Sequence, residues 1–582
     1  MSTRAAVAVV VGALVLTLGT PFGVFGGAPL KLPDIPNPKV VTSGQIGRYG
    51  GTLVTGETSD PRTLNSIISQ ETSSSIPISR MFDGLVETNF DTTEVEPALA
   101  ESWTVSPDGR AWTFKLRKGV TFHDGVELTA DDVAFNMEAA FTPNVSTTRK
   151  DTLSVAGKPM KWRKIDTYTI EFRTEQPFGA FLRAIGFNVL PKHKLEAALR
   201  AGAAEFNKTW GVNTRPREFA GTGPFIIQSY VPGERIVFLR NPKYWKVDAA
   251  GNRLPYLARH VQLILSNPDA VRLKFQSGET DVYSLRPREI EEFKAGAKAG
   301  NYTVYEPGPT AGIQVLEFNM DARGIKPPKR DWFMNTKFRQ AVAYAVDRSA
   351  IANQIYAGRA KPQFGPITPA NKFFYNPNVK PYSYDPARAE ALLAEAGFKK
   401  GPDGTMRDAG GNPMEFTIVV SSQNVDGVAL VNIVRQDLGK LGIKVTVAPE
   451  AFNTLLGRYN SFNWESILIG FTAGLDPYTS QSIWKSSGIF HDWSPNQPKP
   501  MFEWEAEIDR LFDQAATTLD QNKRKQLYNR FQEIVAEQQP FVFFVNVQLA
   551  VAARNTLASI SPSAFAGPTW NIARIFYTKP FR

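Results

Sequence analysis

Apolar and polar residues alternate along the chain soon after its N-terminal region. One polar residue separates Trp103 from Val105, and one separates Trp112 from Phe114. A period of two places these side chains on one face, so the pattern predicts short strands that are buried on one side. The intervening residues 106–109, Ser-Pro-Asp-Gly, favour a tight turn, because proline presets φ and glycine tolerates a positive φ. A small antiparallel meander is therefore predicted.

Helical spacing begins directly after this meander. Thr129 precedes the acidic pair Asp131 and Asp132, and Val133 and Met137 then lie four residues apart. Threonine is a favourable N-cap, and acidic side chains in the first turn interact well with the positive end of a helix. The sequence predicts a helix that starts near residue 130.

From about residue 305 onward, helical and strand-like patterns take turns. The segment 384–398, "YDPARAEALLAEAGF", has an aspartate before its first turn, a proline at the first helical position and a glycine at its end. A strand at 414–420, a helix at 430–441 and a strand at 443–447 form one βαβ unit, which implies a parallel pair. The predicted fold class is α+β in the first half and α/β in the second.

The N-terminus has the pattern of a secretory signal. Arg4 is followed by an apolar stretch from Ala5 to Leu18 and then by small residues. We expect residues 1–28 to be a signal peptide, with an uncleaved anchor as the alternative, and residues 29–48 to be a disordered lead-in rich in proline and polar residues. The mature protein is expected to be soluble and periplasmic or extracytoplasmic.

Composition limits the possible function classes. A chain of 582 residues is too long for one core, so two or three domains are expected. The net charge of +10 is spread along the chain, and no basic run is long enough to predict a nucleic-acid partner. The absence of cysteine excludes disulfides, thiolate metal sites, cysteine nucleophiles and an N-terminal lipoprotein cysteine.

Catalytic motifs are absent from the sequence. His123 and Asp124 look like a dyad, but they lie between a predicted strand and the helix that Thr129 caps. Aspartate and glycine favour a turn at such a position, so a structural role is the better interpretation. We expect no catalytic residue, no metal site, no cofactor and no enzymatic activity.

Four segments carry a family resemblance. They are "LAESWTVSPDGRAWTFKLRKGVTFHDGVELTADDVAFNMEAA" (99–140), "GTGPFIIQSYVPGERIVFLRNPKYW" (221–245), "FRQAVAYAVDRSAIANQIYAGRAKP" (338–362) and the helix at 384–398. In this order they resemble the family 5 extracellular solute-binding proteins, the oligopeptide and dipeptide receptors of ABC importers. The resemblance covers essentially the whole mature chain.

This resemblance implies a two-lobed fold of the periplasmic-binding-protein type (type II) with an extra domain. The implied limits are 49–90, 220–305 and 547–582 for lobe I, 91–219 for the extra domain II, and 306–546 for lobe III. Closure of the lobes buries the ligand, as in other hinged receptors. The implied partners are a small solute and an ABC permease with its ATPase, and the protein is expected to be a monomer.

The resemblance also suggests where the ligand binds. Peptide-binding members hold the peptide's amino terminus with an aspartate that follows an aromatic residue. Phe471, with the adjacent Thr472, fills the aromatic position, but Gly474 falls where the aspartate is expected. Asp476 is the candidate two residues on, and a loop or helix cap is its alternative role.

Further candidates come from other segments. Ser73 and Ser74 match the segment that approaches the ligand from lobe I, where a solvated loop is the alternative. Trp484 is a candidate for stacking on a sugar, with core packing as its alternative. The expected ligand is an oligopeptide, the alternative within the family is an oligosaccharide, and a secreted hydrolase is the alternative from another class.

Overall fold

The computed structural model of the protein describes residues 35–579. The predicted signal peptide, residues 1–28, lies outside the described residues. The prediction of a disordered lead-in is wrong for Lys39–Val41, which forms a strand that pairs in parallel with Lys246–Asp248. Contacts distant in sequence determine this order, because the Lys39 ammonium lies 2.5 Å from a carboxylate oxygen of Glu87 and 2.7 Å from one of Glu96.

The strand-rich part of the chain contains a four-stranded sheet. Its order is Phe225–Val231, Arg235–Arg240, Arg259–Ile264 and Thr52–Glu57. The last two strands are parallel, with Glu57 opposite Ile264 at the end of the ladder. This register places Glu57 at the C-terminal end of its strand.

A second sheet joins the end of the chain to its middle. Val545–Arg554 lies between Val282–Leu285 and Tyr302–Pro309 and is antiparallel to both. Ala360–Pro362 pairs with the start of the same long strand. The predicted domain limits stay a prediction. The strand Tyr302–Pro309 spans the limit at 305, and Val545–Arg554 spans the limit at 546, so both limits fall within strands.

The predicted meander and the helix that follows it are confirmed. Ala100–Val105 and Ala111–Leu116 are antiparallel, and the sheet continues through Thr169–Arg173 to Lys161–Asp166. The helix Ala130–Phe141 begins with a capping box formed by its flanking threonine and a first-turn aspartate. Its apolar face packs on the sheet around a cluster of phenylalanine side chains.

The second half of the chain contains a five-stranded sheet. Its order is Lys444–Glu450, Glu415–Ser421, Ser466–Phe471, Ile313–Phe318 and Phe541–Phe543. The first two strands are parallel and the helix Val425–Lys440 connects them, so the predicted βαβ unit is confirmed. Helices cover this sheet and form the largest apolar core with it.

Among the described residues, the helices of eight residues or more are Thr72–Met81, Ala130–Phe141, Lys192–Ala201, Pro268–Gln276, Thr336–Ala345, Pro386–Glu395, Val425–Lys440, Phe452–Asn460, Glu503–Thr517 and Gln521–Gln538. None of the helices within residues 35–579 combines the length and apolar character needed to cross a bilayer. The fold is two-lobed and mixes α/β with α+β parts, as predicted.

Candidate functional site

A cavity of about 1050 Å³ lies between the strand-rich part and the α/β part of the molecule. The strand-rich part supplies most of its wall, including the end of Thr52–Glu57, one face of Thr72–Met81 and the strand Val282–Leu285. The α/β part contributes Thr472 and Ala473 at the end of a central strand. The volume is at the upper end of the roughly 300–1,000 Å³ range of small-molecule sites.

The helix Thr72–Met81 decides which hydroxyls reach this cavity. Its exposed wall consists of Thr72, Ser75, Ile76 and Ser79, and this spacing of three and four residues marks one helical face. The side chains at the intervening positions therefore point elsewhere, which separates the predicted serines from the cavity.

Ser73 and Ser74, predicted as ligand contacts, both lie off the cavity wall. The buried Ser74 hydroxyl oxygen accepts from the backbone N–H groups of Arg62 at 2.9 Å and Thr63 at 3.1 Å, and the hydroxyl donates to Glu71. Ser73 is half-buried, and its hydroxyl has no partner within the described residues. The prediction differs from the structure because the segment is helical, so these two serines fall between Thr72 and Ser75 and point away from the face that lines the cavity.

Phe471 and Thr472 end the central strand Ser466–Phe471 and have different surroundings. The half-buried ring of Phe471 stacks on Phe541 with the ring centroids 5.8 Å apart, away from the cavity wall. Thr472 is exposed and lies on that wall. Of the six residues predicted to contact ligand, Thr472 is the one on the lining.

Asp476 makes an ion pair inside the α/β part. Its carboxylate oxygens lie 2.7 and 2.8 Å from the terminal nitrogens of Arg524, whose side chain is 1% exposed. One of these oxygens also accepts from the N–H of Tyr478 at 3.0 Å, which caps the short 3₁₀ helix Pro477–Ser480. The structure therefore gives Asp476 its alternative role as a helix cap, and its carboxylate is paired with the guanidinium of Arg524.

Gly474 leaves no room for a side chain. A Cβ atom placed there would lie 2.2 Å from the hydroxyl oxygen of Thr479. That hydroxyl donates to the carbonyl of Asp476 at 2.8 Å, so it is held in place. Neither candidate position for the expected aspartate offers a free carboxylate to the cavity.

Trp484 belongs to the core. Its side chain is buried, and its ring meets Phe531 and Phe541 edge-on at centroid distances of 5.0 and 5.3 Å. Core packing, the alternative role for this residue, is what the structure shows.

His123 and Asp124 have structural partners. The two ring nitrogens of His123 lie 3.1 Å from the carbonyl oxygen of Gly223 and 3.2 Å from the backbone nitrogen of Gly221. Burial lowers the pKa of His123 to about 4, so the ring is neutral at pH 7 and joins two chain segments. Asp124 accepts from the ring of His193 at 2.8 Å.

Most charged side chains on the cavity wall are paired with one another. Lys246 contacts Glu87, and Lys39 bridges Glu87 and Glu96. Burial alone would raise the pKa of Glu87, but the two lysines hold it at about 2. Asp83 accepts from the indole N–H of Trp245 at 2.9 Å.

Glu57 is the lining carboxylate that differs. Its side chain makes no hydrogen bond and no ion pair with any described residue, although Glu57 is only partly exposed. Burial raises the pKa of Glu57 to about 7, and the positive charge of Arg80 opposes this rise. No local pattern in "TLVTGE" (52–57) marks Glu57, because the apolar residues Leu53 and Val54 are adjacent and do not alternate with polar ones.

Arg80 is the charged group that acts electrostatically on Glu57 and opposes the rise of its pKa. Its terminal nitrogens donate to the carbonyl and hydroxyl oxygens of Thr569 at 2.9 and 2.6 Å, which fixes the guanidinium on the wall. Its buried Nε–H has no partner within residues 35–579. Burial lowers the pKa of Arg80 to about 10, so it remains charged at neutral pH.

Comparison with known proteins identifies a family match. Residues 94–492 match the family described as bacterial extracellular solute-binding proteins, family 5. A probable ABC transporter-binding protein of Deinococcus radiodurans is 30% identical over 85% of this chain and 86% of its own. A dipeptide-binding protein of Escherichia coli is 29% identical over 80% of this chain and 83% of its own.

Solved structures share the fold. The periplasmic binding protein MelB of Agrobacterium fabrum in complex with stachyose has a TM-score of 0.81, with 23% identity over 94% of this chain and 89% of its own. At this identity the similarity supports the fold alone.

Proposed function

We propose a ligand class for this chain from one premise: the chain belongs to the bacterial extracellular solute-binding proteins of family 5. It is the substrate-binding protein of an ABC transporter, and members of its family are binding proteins of the extracytoplasmic space. The proposed ligand is an oligopeptide, captured between the two hinged lobes and delivered to a membrane permease with its ATPase.

One observation carries the peptide proposal. Among the described residues, neither the N–H nor the C=O of Thr472 and Ala473 has a hydrogen-bond partner, and both residues lie on the cavity wall. They continue the strand Ser466–Phe471, so they present strand-like backbone groups to the ligand. An extended peptide can pair with such groups through its own backbone, which gives affinity without selecting a side chain.

An oligosaccharide is the second candidate. Trp570 lies on the cavity wall and meets Phe90 edge-on at 5.4 Å, so an aromatic surface is available for stacking on a sugar ring. The hydroxyl of Thr72 can donate to a sugar oxygen or to a peptide carbonyl. The hydroxyls of Ser75 and Ser79 already donate to carbonyls of their own helix, and their oxygens can still accept from a ligand. The same fold holds stachyose in MelB, so a cavity of this fold can accommodate an oligosaccharide.

The ligand class is tested by a thermal-shift screen of the purified protein with tripeptide pools and with stachyose. A ligand that binds only the folded state at about 100 times its Kd stabilises the protein by about 2.7 kcal/mol. We expect peptides to raise the melting temperature. Stabilisation by stachyose alone would replace the peptide with a sugar, and formation of cleavage products would favour a hydrolase.

Processing belongs to the proposal too. We propose that residues 1–28 are removed as a signal peptide and that the mature protein is a monomer without a lipid anchor, since the chain has no cysteine. Intact-mass analysis of the protein secreted by its host tests the cleavage and the absence of a lipid anchor, and native mass spectrometry tests the monomeric state. A mass that retains residue 1 or carries acyl chains contradicts the first two points, and a dimer mass contradicts the third.

A further inference from the structure

Glu57 has the environment of a ligand-binding group. It ends the parallel ladder of Thr52–Glu57 against Arg259–Ile264, and its side chain continues from the strand onto the cavity wall. Within the described part of the chain, no donor lies within hydrogen-bonding distance of its carboxylate. A partly buried carboxylate without a donor from the protein is unfavourable, since it has lost part of its hydration and gained no partner.

The other lining carboxylates do not share this state. Glu87 and Glu96 contact lysine ammonium groups, and Asp83 accepts from an indole N–H. The protein therefore satisfies each of these acids with its own donors. Glu57 is left to a donor that comes from outside the chain.

Arg80 does not remove this need. Its terminal nitrogens are held by Thr569, and the guanidinium forms no ion pair with Glu57 within 4 Å. Arg80 thus acts on Glu57 through its field, which favours the ionised carboxylate. The two groups leave an acidic acceptor open to the cavity, with a fixed cation on the same wall.

We propose that Glu57 binds an organic cation of the ligand, an ammonium or a guanidinium group, from the first lobe. This inference rests on the proposed function and assigns to Glu57 the role that the sequence predicted for Asp476. A charge-assisted hydrogen bond from a ligand cation is about twice as strong as a neutral one and supplies the donor that the carboxylate lacks. The cation comes either from the amino terminus of a peptide or from a lysine or arginine side chain.

The test compares Glu57→Gln with the wild-type protein by isothermal titration calorimetry. The probes are three tripeptide pools: with a free amino terminus and no basic residue, with an acetylated amino terminus and no basic residue, and acetylated but containing one lysine. The substitution keeps size and shape and removes the charge. Glu234→Gln is the matched control, because Glu234 lies on the surface of the same sheet region and pairs with Arg235.

We expect the wild type to bind the free pool at least tenfold more tightly than the acetylated pool without lysine. Glu57→Gln should abolish that preference, and Glu234→Gln should keep it. If the preference follows the acetylated lysine pool instead, the side-chain cation is the ligand group. Equal affinity of Glu57→Gln and wild type for every pool that binds overturns the inference and leaves peptide binding intact. Failure of the wild type to bind any pool overturns the peptide proposal, and this inference with it.

Discussion

Glu317 and Asp492 form a pair of buried carboxyl groups in the α/β part. Burial raises the pKa of Glu317 well above its usual value, and Asp492 raises it further. Burial likewise raises the pKa of Asp492. Both Glu317 oxygens and one Asp492 oxygen lack partners among the described residues, whereas the other Asp492 oxygen accepts from the hydroxyl of Tyr459. The folded state therefore holds these acids in their neutral form.

This pair predicts that stability decreases as pH rises. Below the pKa of these groups in the unfolded chain, about 4, they are protonated in both the folded and the unfolded state, and their contribution to the free energy of unfolding is at its maximum. Above it the unfolded chain ionises while the folded protein retains its protons, so the free energy of unfolding falls by about 1.4 kcal/mol per pH unit and per group until the folded pKa is reached. Urea denaturation at pH 5 and pH 8 measures this slope, which should be smaller in Glu317→Gln. Glu415→Gln, at an exposed position of the same sheet, should keep the wild-type slope.

The ion pair of Asp476 with Arg524 is expected to stabilise the fold and not to bind ligand. In Asp476→Ala the buried guanidinium of Arg524 keeps the carbonyl of Ala515 at 3.0 Å but loses its only carboxylate partner among the described residues. Breaking one side of a buried ion pair costs about 3–5 kcal/mol, so the urea midpoint should fall sharply. Peptide affinity of the folded variant should stay unchanged. A large loss of affinity with unchanged stability would return Asp476 to the ligand site.

Of the six residues predicted to contact ligand, the sequence placed one on the cavity wall. Thr472 lies on the cavity wall, and only the family resemblance pointed to it, through the segment 470–484. Asp476 and Trp484 follow Thr472 closely in sequence. Their partners Arg524 and Phe531 lie 48 and 47 residues away along the chain, so no local pattern reveals these two contacts. Glu57 was missed for the same reason, since its lack of a partner is a property of the folded wall.

Helix caps are the element-scale features that the sequence predicts best. Thr129 begins the helix Ala130–Phe141, and Asp132 returns a carboxylate oxygen to the N–H of Thr129 at 2.9 Å. The other oxygen of Asp132 accepts from the N–H of Lys192 at 2.9 Å, which ties a second helix to the first. That second contact, 60 residues away, could not be predicted from local pattern.

Because of these two contacts, substitutions at neighbouring positions should lower the free energy of unfolding by different amounts. Thr129→Ala should lower the free energy of unfolding by about 1 kcal/mol, the usual cost of losing an N-cap. Asp132→Ala should cost more, because it removes the capping box and leaves the N–H of Lys192 without its acceptor. Asp131→Ala is the control, since its carboxylate is about half exposed and, among residues 35–579, pairs with Lys164 alone at the surface. Equal costs for Asp131→Ala and Asp132→Ala in urea denaturation would contradict this account.

Contacts away from the cavity wall also join the α/β part to the rest of the molecule. Tyr478 of the α/β part inserts between residues of the meander region, where its hydroxyl donates to the carbonyl of Ser154 at 2.5 Å and its ring meets Phe178 edge-on at 4.9 Å. Arg288 lies 3.3 Å from Asp426 between the strand-rich and α/β parts. The family resemblance predicted the two-lobed fold, but these contacts join residues that are distant in sequence, so the sequence pattern does not predict them.

The contact made by Tyr478 is expected to contribute to closure of the lobes. Ligand affinity in a hinged receptor depends on the free energy of closing as well as on direct contacts, because the closed state is the one that binds tightly. Tyr478→Ala removes a buried aromatic ring from the contact between the lobes and should shift the unliganded protein toward an open form. We expect a larger radius of gyration in small-angle X-ray scattering, weaker binding of the peptide pool and recovery of the compact form at saturating peptide. Tyr478→Phe keeps the ring and loses one hydrogen bond worth about 1 kcal/mol, so its affinity should fall less than tenfold. If Tyr478→Ala matches the wild type in both size and affinity, the contact does not take part in closing, and the lobes are held together by other contacts such as the Arg288–Asp426 pair.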